Sequence, residues 1–198
     1  MNINNIKKIN FEVIKIAREN NPDAKVIKVG ILPFFVEKSG ENNEINIMVM
    51  RPIAEKEILG KPEFQLAKGT RKVNVSDSWC DMREDDLIFA DESFHEPLIE
   101  TALREGNEEI GLKTENIGKL YDLGGFSFIS ASKGTKKPLH LFAAAIIDKN
   151  NFCEFEKSTS ETKWLRLEEF IANGRKDHIL IIEEAVRLLQ NNIGNSNG

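Results

Sequence analysis

Residues 96–112 read EPLIETALREGNEEIGL, and this stretch constrains the chain more than any other. A helix turns about 100° per residue, so Glu105, Glu108 and Glu109 fall within an arc of about 100°. Three carboxylates that close repel one another unless a positive charge sits among them. Oxygen-only ligands select a hard ion, so the expected cofactor is Mg²⁺ or Mn²⁺. Ile99, Ala102, Leu103, Gly106 and Ile110 form a neighbouring stripe, the face such a helix buries. The acids lie beside that face, where the wall of a cleft would be. Glycine inside a helix costs roughly 1 kcal/mol relative to alanine, so Gly106 implies close approach of the helix to its support. Gly111 stands where a left-handed residue would end the helix. A solvated acidic face is the plain alternative.

More positions coincide than an acidic face requires. Glu96, seven residues, Arg104 and Glu105, then Glu108, Glu109, Gly111 and Leu112 follow in order. They resemble the pattern G-x5-E-x7-R-E-U-x-E-E-x-G-U of the Nudix hydrolase family, with U apolar. Two positions depart from it. Gly106 stands where U is expected, and the first glycine is replaced by Ala90. The preferred reading takes Gly69, in FQLAKG, as that glycine. Residues 70–95 then separate Gly69 from Glu96, 26 residues where the pattern has five, an insertion of 21. The inserted stretch is polar, rich in acids and holds Trp79. Loops longer than about 12–15 residues are uncommon and usually functional or disordered. The insertion reads as a lid or specificity element, or as an excursion that meets no substrate.

The resemblance implies an α/β fold, a Nudix-like α/β/α sandwich with a mixed β-sheet and N-terminal and C-terminal helices. It implies a metal held mainly by Glu105 and Glu109, with Glu108 assisting and a backbone carbonyl in the Ala67–Gly69 segment completing the shell. Arg104 would orient the glutamates, and Glu96 would pair with Arg104 or brace the loop. The implied reaction is hydrolysis of a pyrophosphate bond in a nucleoside diphosphate linked to another moiety. The general base is either a glutamate of the helix, such as Glu105 or Glu108, or an acid before the late strand. In STSETKW, residues 158–164, that acid is Glu161, with Glu154 and Glu156 weaker candidates. Lys68 and Arg71, on either side of Gly69, and Phe126 are the candidate substrate contacts. Phe128 and Trp79 could also stack on a base. A nucleotide-binding or sensor module with weak catalysis is the alternative function.

Composition limits the rest. A chain of 198 residues is one domain with a sizeable core. A net charge of -5 argues against binding a nucleic acid duplex. Cys80 and Cys153 show no metal or disulfide spacing, and His95, His140 and His178 show no ligand spacing. The longest apolar run, Leu141 to Ile147, is far short of the ~20 residues that cross a bilayer. With no signal sequence apparent, the expectation is a cytoplasmic protein that engages no membrane. Its partner would be a small nucleoside diphosphate derivative, and a homodimer is left open.

Periodicity predicts a helix over 5–20, from Ile6, Ile9, Val13, Ile16 and Ala17. Residues 1–22 would pack on a domain spanning 23–191. Strands are predicted over 25–37, with Pro33 at a bend or edge, and over 44–51, 63–67, 117–128, 138–148 and 163–165. The segment SASKGTKK, 130–137, reads as a basic loop. A helical turn over 167–172 and a helix over 177–191 follow. Residues 192–198 have the composition of a disordered tail.

Overall fold

A computed structural model describes residues 11–18, 26–39, 42–52, 63–82, 87, 91–129, 134–153 and 160–195. Three strands open it: β1 (Glu12–Arg18), β2 (Lys28–Ser39) and β3 (Asn42–Pro52). Short strands β4 (Ala67–Thr70), β5 (Val73–Val75) and β6 (Ser78–Cys80) precede helix α1 (Leu98–Ile110). The long strands β7 (Ile117–Ile129) and β8 (Lys136–Ile146) come next. Strand β9 (Ser160–Arg166) leads into α2 (Leu167–Asn173) and α3 (Lys176–Asn195).

One mixed sheet runs β1-β7-β8-β2-β3-β9, with β4 added to β2. The β1–β7 and β2–β8 pairs are parallel and the others antiparallel. Alternation sorts the side chains into two layers. Val29, Ile31, Phe142, Ala144 and Ile146 face α1 together with its Ala102, Leu103 and Ile110. Leu32, Phe34, Leu139, Leu141 and Ala143 face the other way, onto Phe170, Ile182, Ala185 and Leu189 of α2 and α3. The sheet is therefore covered on both sides, which is why β2 and β8 read as nearly continuous apolar runs. The expected mixed-sheet α/β/α architecture is observed.

Pro33 lies inside β2, not at its end. Lys28–Ile31 pair with β4 and Phe34–Ser39 pair with β3. Pro33 falls in the gap between the two partners, where a missing N–H costs no ladder bond on that edge. Among the described residues β4 pairs with no second strand, and side chains of α1 bond it instead, Glu109 at Lys68 N and Arg104 at Thr70 O.

Several boundaries differ from the sequence reading. Residues 12–18, expected as helix, form a strand on the outer edge of β7. Ile14 and Ile16 pack against the core while Val13 is 47% exposed, which is two-residue and not helical alternation. An unfilled edge of β7 supplies backbone partners that local periodicity does not record. Residues 1–10 lie outside the described residues. Asn192–Asn195, expected in the tail, continue α3; residues 196–198 lie outside the description. Lys136 and Lys137, expected in a loop, begin β8 opposite Ile129 and Phe128, and Lys133 falls outside. Among the described residues no helix is long and apolar enough to cross a membrane.

Helix α1 ends as its sequence predicts. Gly111 is left-handed, at φ 68° and ψ 22°, and its N–H donates to Asn107 O at 3.0 Å. Gly106 faces β2, where an added Cβ would lie 2.9 Å from Ile31 Cγ2 and 3.0 Å from Leu112 Cδ2. Helix and sheet meet too closely for the apolar residue of the pattern. Gly106→Leu is therefore expected to lower stability by ~1–3 kcal/mol through overpacking. Thermal melting checks this, and an unchanged midpoint would contradict the close approach.

Candidate active site

Arg104 organises the acids. Its Nε donates to Glu96 Oε1 and its Nη2 to Glu96 Oε2, both at 2.9 Å. Nη1 donates to Glu105 Oε1 at 2.7 Å and to Glu108 Oε2 at 2.9 Å. Nη2 also donates to Thr70 O at 3.0 Å. All five N–H donors of the guanidinium are thereby used, which a lysine ammonium could not reproduce. Burial alone would lower the Arg104 pKa, but Glu96 and Glu105 raise it.

Glu96 precedes the helix and is 2% exposed. Burial pushes its carboxyl up, but Arg104, the Lys72 N–H and the Thr101 hydroxyl outweigh that and hold it below the usual range. Thr101 Oγ1 donates at 3.0 Å and Lys72 N at 3.2 Å. Glu96 is thus ionised, pinned on every side and closed to a ligand.

Glu105 and Glu109 behave differently. Glu105 is 9% exposed. Burial raises its pKa, and Glu108 and Glu96 add to that against the pull of Arg104. Glu109 is pushed up to about 7, by burial first and then by Glu105. Its Oε2 accepts the Lys68 N–H at 2.8 Å. Two neighbouring carboxylates of raised pKa are a poor arrangement for the protein alone and a good one for a cation. Glu108 has a side chain 52% exposed and is drawn toward Arg104.

Gly69 completes the wall. A Cβ on Gly69 would lie 2.0 Å from the Glu105 Cδ and Oε1 and 2.1 Å from Oε2. Only the missing side chain lets the Glu105 carboxylate rest against β4. This close approach ties Gly69 to the acids of α1 despite the 26 residues between it and Glu96.

Among the described residues no three His, Cys, Asp or Glu already gather closely enough to hold a metal ion. Arg104 draws Glu105 and Glu108 toward itself, so the predicted trio does not converge on one point. Glu105 and Glu109 nevertheless give oxygen donors of raised pKa at a cradle without a side chain. That chemistry fits a hard dication.

Lys68 joins the acids to a second region. Its backbone meets Glu109, and its ammonium lies over the Phe128 ring, 5.4 Å from the centroid. Burial pushes its pKa down, while Glu109 pulls it up. Beyond Phe128 lies a cavity of about 1040 Å³, lined among others by Phe126, Phe128, Lys136, Arg175 and Asp177. Arg175 Nε donates to Asp177 Oδ1 at 2.7 Å.

Other expected site residues lie elsewhere. Arg71 is 4% exposed and spends its guanidinium on Glu96 O, Val26 O and Glu92. A substrate contact for it is corrected: the side chain is buried, and its Nε and Nη1 are already bonded to the protein. Glu161 sits on the sheet face of Leu165, opposite that of Ser160 and Trp164. Arg51 holds it, from Nε at 2.7 Å and Nη2 at 2.5 Å. Glu154 and Glu156 lie outside the described residues. Trp79 is on the β5–β6 hairpin opposite Asn74. Ser76 and Asp77 turn that hairpin at φ 52° and 62°.

Some neighbours of the site carry no local signal. Ser160 Oγ donates to Glu109 O at 3.3 Å, and Lys28 Nζ donates to Thr70 Oγ1 at 2.5 Å. His178 is fully buried and accepts the Leu66 N–H at Nδ1, 3.0 Å away. Burial, with Lys68 and Arg175 adding, pushes its pKa down to about 2, so it stays neutral. It is a structural group.

Neither a protein-family model nor a curated protein matches the chain. Solved structures do. A protein described as a NUDIX hydrolase from Listeria monocytogenes aligns at TM-score 0.52 and 21% identity, over 85% of this chain and 97% of that one. An Ap4A hydrolase of C. elegans aligns at TM-score 0.55 and 15% identity, over 84% and 99%. The NUDIX domain of Shewanella oneidensis NrtR, solved with ADP ribose, aligns at 0.53 and 17%, over 86% and 94%. With its mixed sheet between α1 and the α2–α3 layer, the chain has the Nudix fold.

Proposed function

We propose that the chain is a metal-dependent hydrolase that cleaves the pyrophosphate bond of a nucleoside diphosphate linked to another moiety, by attack of water on phosphorus. The observation that carries this reading is the pair Glu105 and Glu109, both of raised pKa, with Glu105 pressed onto Gly69. Glu105 and Glu109 would hold Mg²⁺ or Mn²⁺, with Gly69 giving a backbone carbonyl and Glu108 assisting. The bound ion would stabilise charge on the phosphate oxygens and lower the pKa of the attacking water.

The chain's own groups supply the rest. Arg104 orients the Glu105 and Glu108 carboxylates through its Nη1 hydrogen bonds. Glu108, held at Oε2 and half exposed, is the acid placed to take the water's proton. Lys68 offsets phosphate charge between the acids and the cavity, and Phe126 and Phe128 offer apolar surface to a base. Glu161 is not needed as the base in this scheme, since it lies on the sheet face away from α1, with its Oε2 held by Arg51.

The second reading is a module that binds such a nucleotide without hydrolysing it; the NrtR domain that holds ADP ribose favours it. A panel of nucleoside triphosphates, dinucleoside polyphosphates, ADP-ribose and nucleotide sugars, run with Mg²⁺ or Mn²⁺, separates the two. Turnover of at least one substrate, abolished by chelator, is expected. Tight binding with no turnover would establish the second reading instead.

A further inference from the structure

The 26 residues between Gly69 and Glu96 interrupt the link between the strand of the site and its helix. The interruption is closed at its root. Arg71 donates from Nε to Glu96 O at 2.7 Å and from Nη1 to Val26 O at 3.2 Å. Nη1 also pairs with Glu92 at 2.6 Å. Glu96 N donates to Lys72 O at 2.8 Å, Lys72 N returns a bond to the Glu96 carboxylate, and Val73 bridges to His95. Val73 and Leu87 bury with Ile27 on the apolar side of the root. Residues 71–73 and 92–96 are thereby zipped together across the insertion.

Glu96 is the point where this root meets the site. Its backbone oxygen is held by Arg71 and its carboxylate by Arg104. Arg104 in turn holds Glu105 and Glu108. We propose that Arg71 is a positioning residue: it fixes Glu96 across the insertion, and through Glu96 and Arg104 it sets the Glu105 and Glu108 carboxylates. In a short loop, chain connectivity would place Glu96 beside the strand. A long excursion relaxes that constraint, since closing a longer loop costs more conformational entropy. A buried guanidinium spanning two carbonyls and a carboxylate restores it, because its planar fork fixes direction as well as distance. The role of Arg71 rests on the hydrolase reading, but its geometry lies outside the reacting groups.

The test compares wild type, Arg71→Lys and Arg71→Met in the full chain. Each is measured for folding by circular dichroism, for kcat and KM on the substrate found by the panel, and for Mn²⁺ affinity by calorimetry. Arg71→Met is expected to lose at least ~10-fold in kcat, since misplacement by ~1 Å far from the chemistry can cost ~10²-fold. KM should stay within about twofold, and Mn²⁺ affinity should fall alongside kcat. Arg71→Lys should recover part of both. A folded Arg71→Met with wild-type kcat and Mn²⁺ affinity would overturn the proposal. Should both variants fail to fold, hydrogen exchange in the wild type decides. Coupling is reciprocal, so Mn²⁺ is expected to slow exchange at the Lys72 and Glu96 amides, and unchanged rates there would sink the idea. A wild type without any turnover would overturn the hydrolase reading alone, and the Mn²⁺ affinities and exchange rates would still judge Arg71.

Discussion

Glu109→Gln is expected to abolish turnover and, in the same protein, to raise the stability of the metal-free fold. The two effects share one cause. The Glu109 carboxyl is buried beside Glu105, and its pKa stands at about 7 against an ordinary 4.5. Below about pH 4.5 it is protonated in both folded and unfolded chains and adds nothing to the pH dependence. Between about 4.5 and 7 the folded chain keeps the proton that the unfolded chain releases. Stability therefore falls as pH rises through that window and levels off above it. The full penalty is about 2–3 kcal/mol above pH 7, at 1.36 kcal/mol per pKa unit with allowance for partial exposure.

Glutamine keeps an oxygen for the Lys68 N–H but has no charge to bury. The variant should melt at a higher temperature than wild type at pH 8 in chelator, and the two should converge near pH 4.5. Turnover should fall by at least ~10²-fold, the usual order for losing one group that stabilises transition-state charge. Added Mn²⁺ should raise the melting temperature of wild type more than that of Glu109→Gln. Parallel pH profiles for the two proteins would show that Glu109 is not the strained acid described. Full activity in the variant would remove it from the site.

Gly69→Ala should act almost entirely on function. The new methyl would overlap the Glu105 carboxyl at 2.0 Å. Backbone does not stand in the way; the far end of a flexible side chain does, so the fold can yield cheaply. Glu105 must swing off β4 and out of its place beside Glu109. Loss of about 10²-fold in kcat is expected from a displacement of that size, with a melting temperature close to wild type. The same measurement tests the alignment of the interrupted motif. A Gly69→Ala protein with normal kcat would mean that Gly69 is not the glycine of the pattern, and that the insertion has been placed wrongly.

The helix was legible because its evidence is local. Acid spacing, apolar stripe and Gly111 cap all lie within one element, where a fixed turn per residue converts sequence into direction. The sheet was legible in outline for the same reason. Residues 12–18 were not, because their apolar positions satisfy a helical period while the partner that makes them a strand is β7, a hundred residues away. Arg71 misled for a related reason. A basic residue beside Gly69 suggests phosphate, and only the packed root shows the side chain buried, with its Nε and Nη1 held by Glu96, Val26 and Glu92.

By itself, then, the sequence determined the acid-bearing helix, its buried face, its glycine cap and the mixed α/β class. These follow from side-chain period and backbone preference, which act over a few residues. Tertiary structure decided which acids stand together. It put Glu105 and Glu109 against β4, tied Glu96 and Glu108 to Arg104, and turned Glu161 to the other face of the sheet. Those outcomes depend on burial and on contacts between residues far apart in the chain, where desolvation and charge are set by what folds alongside.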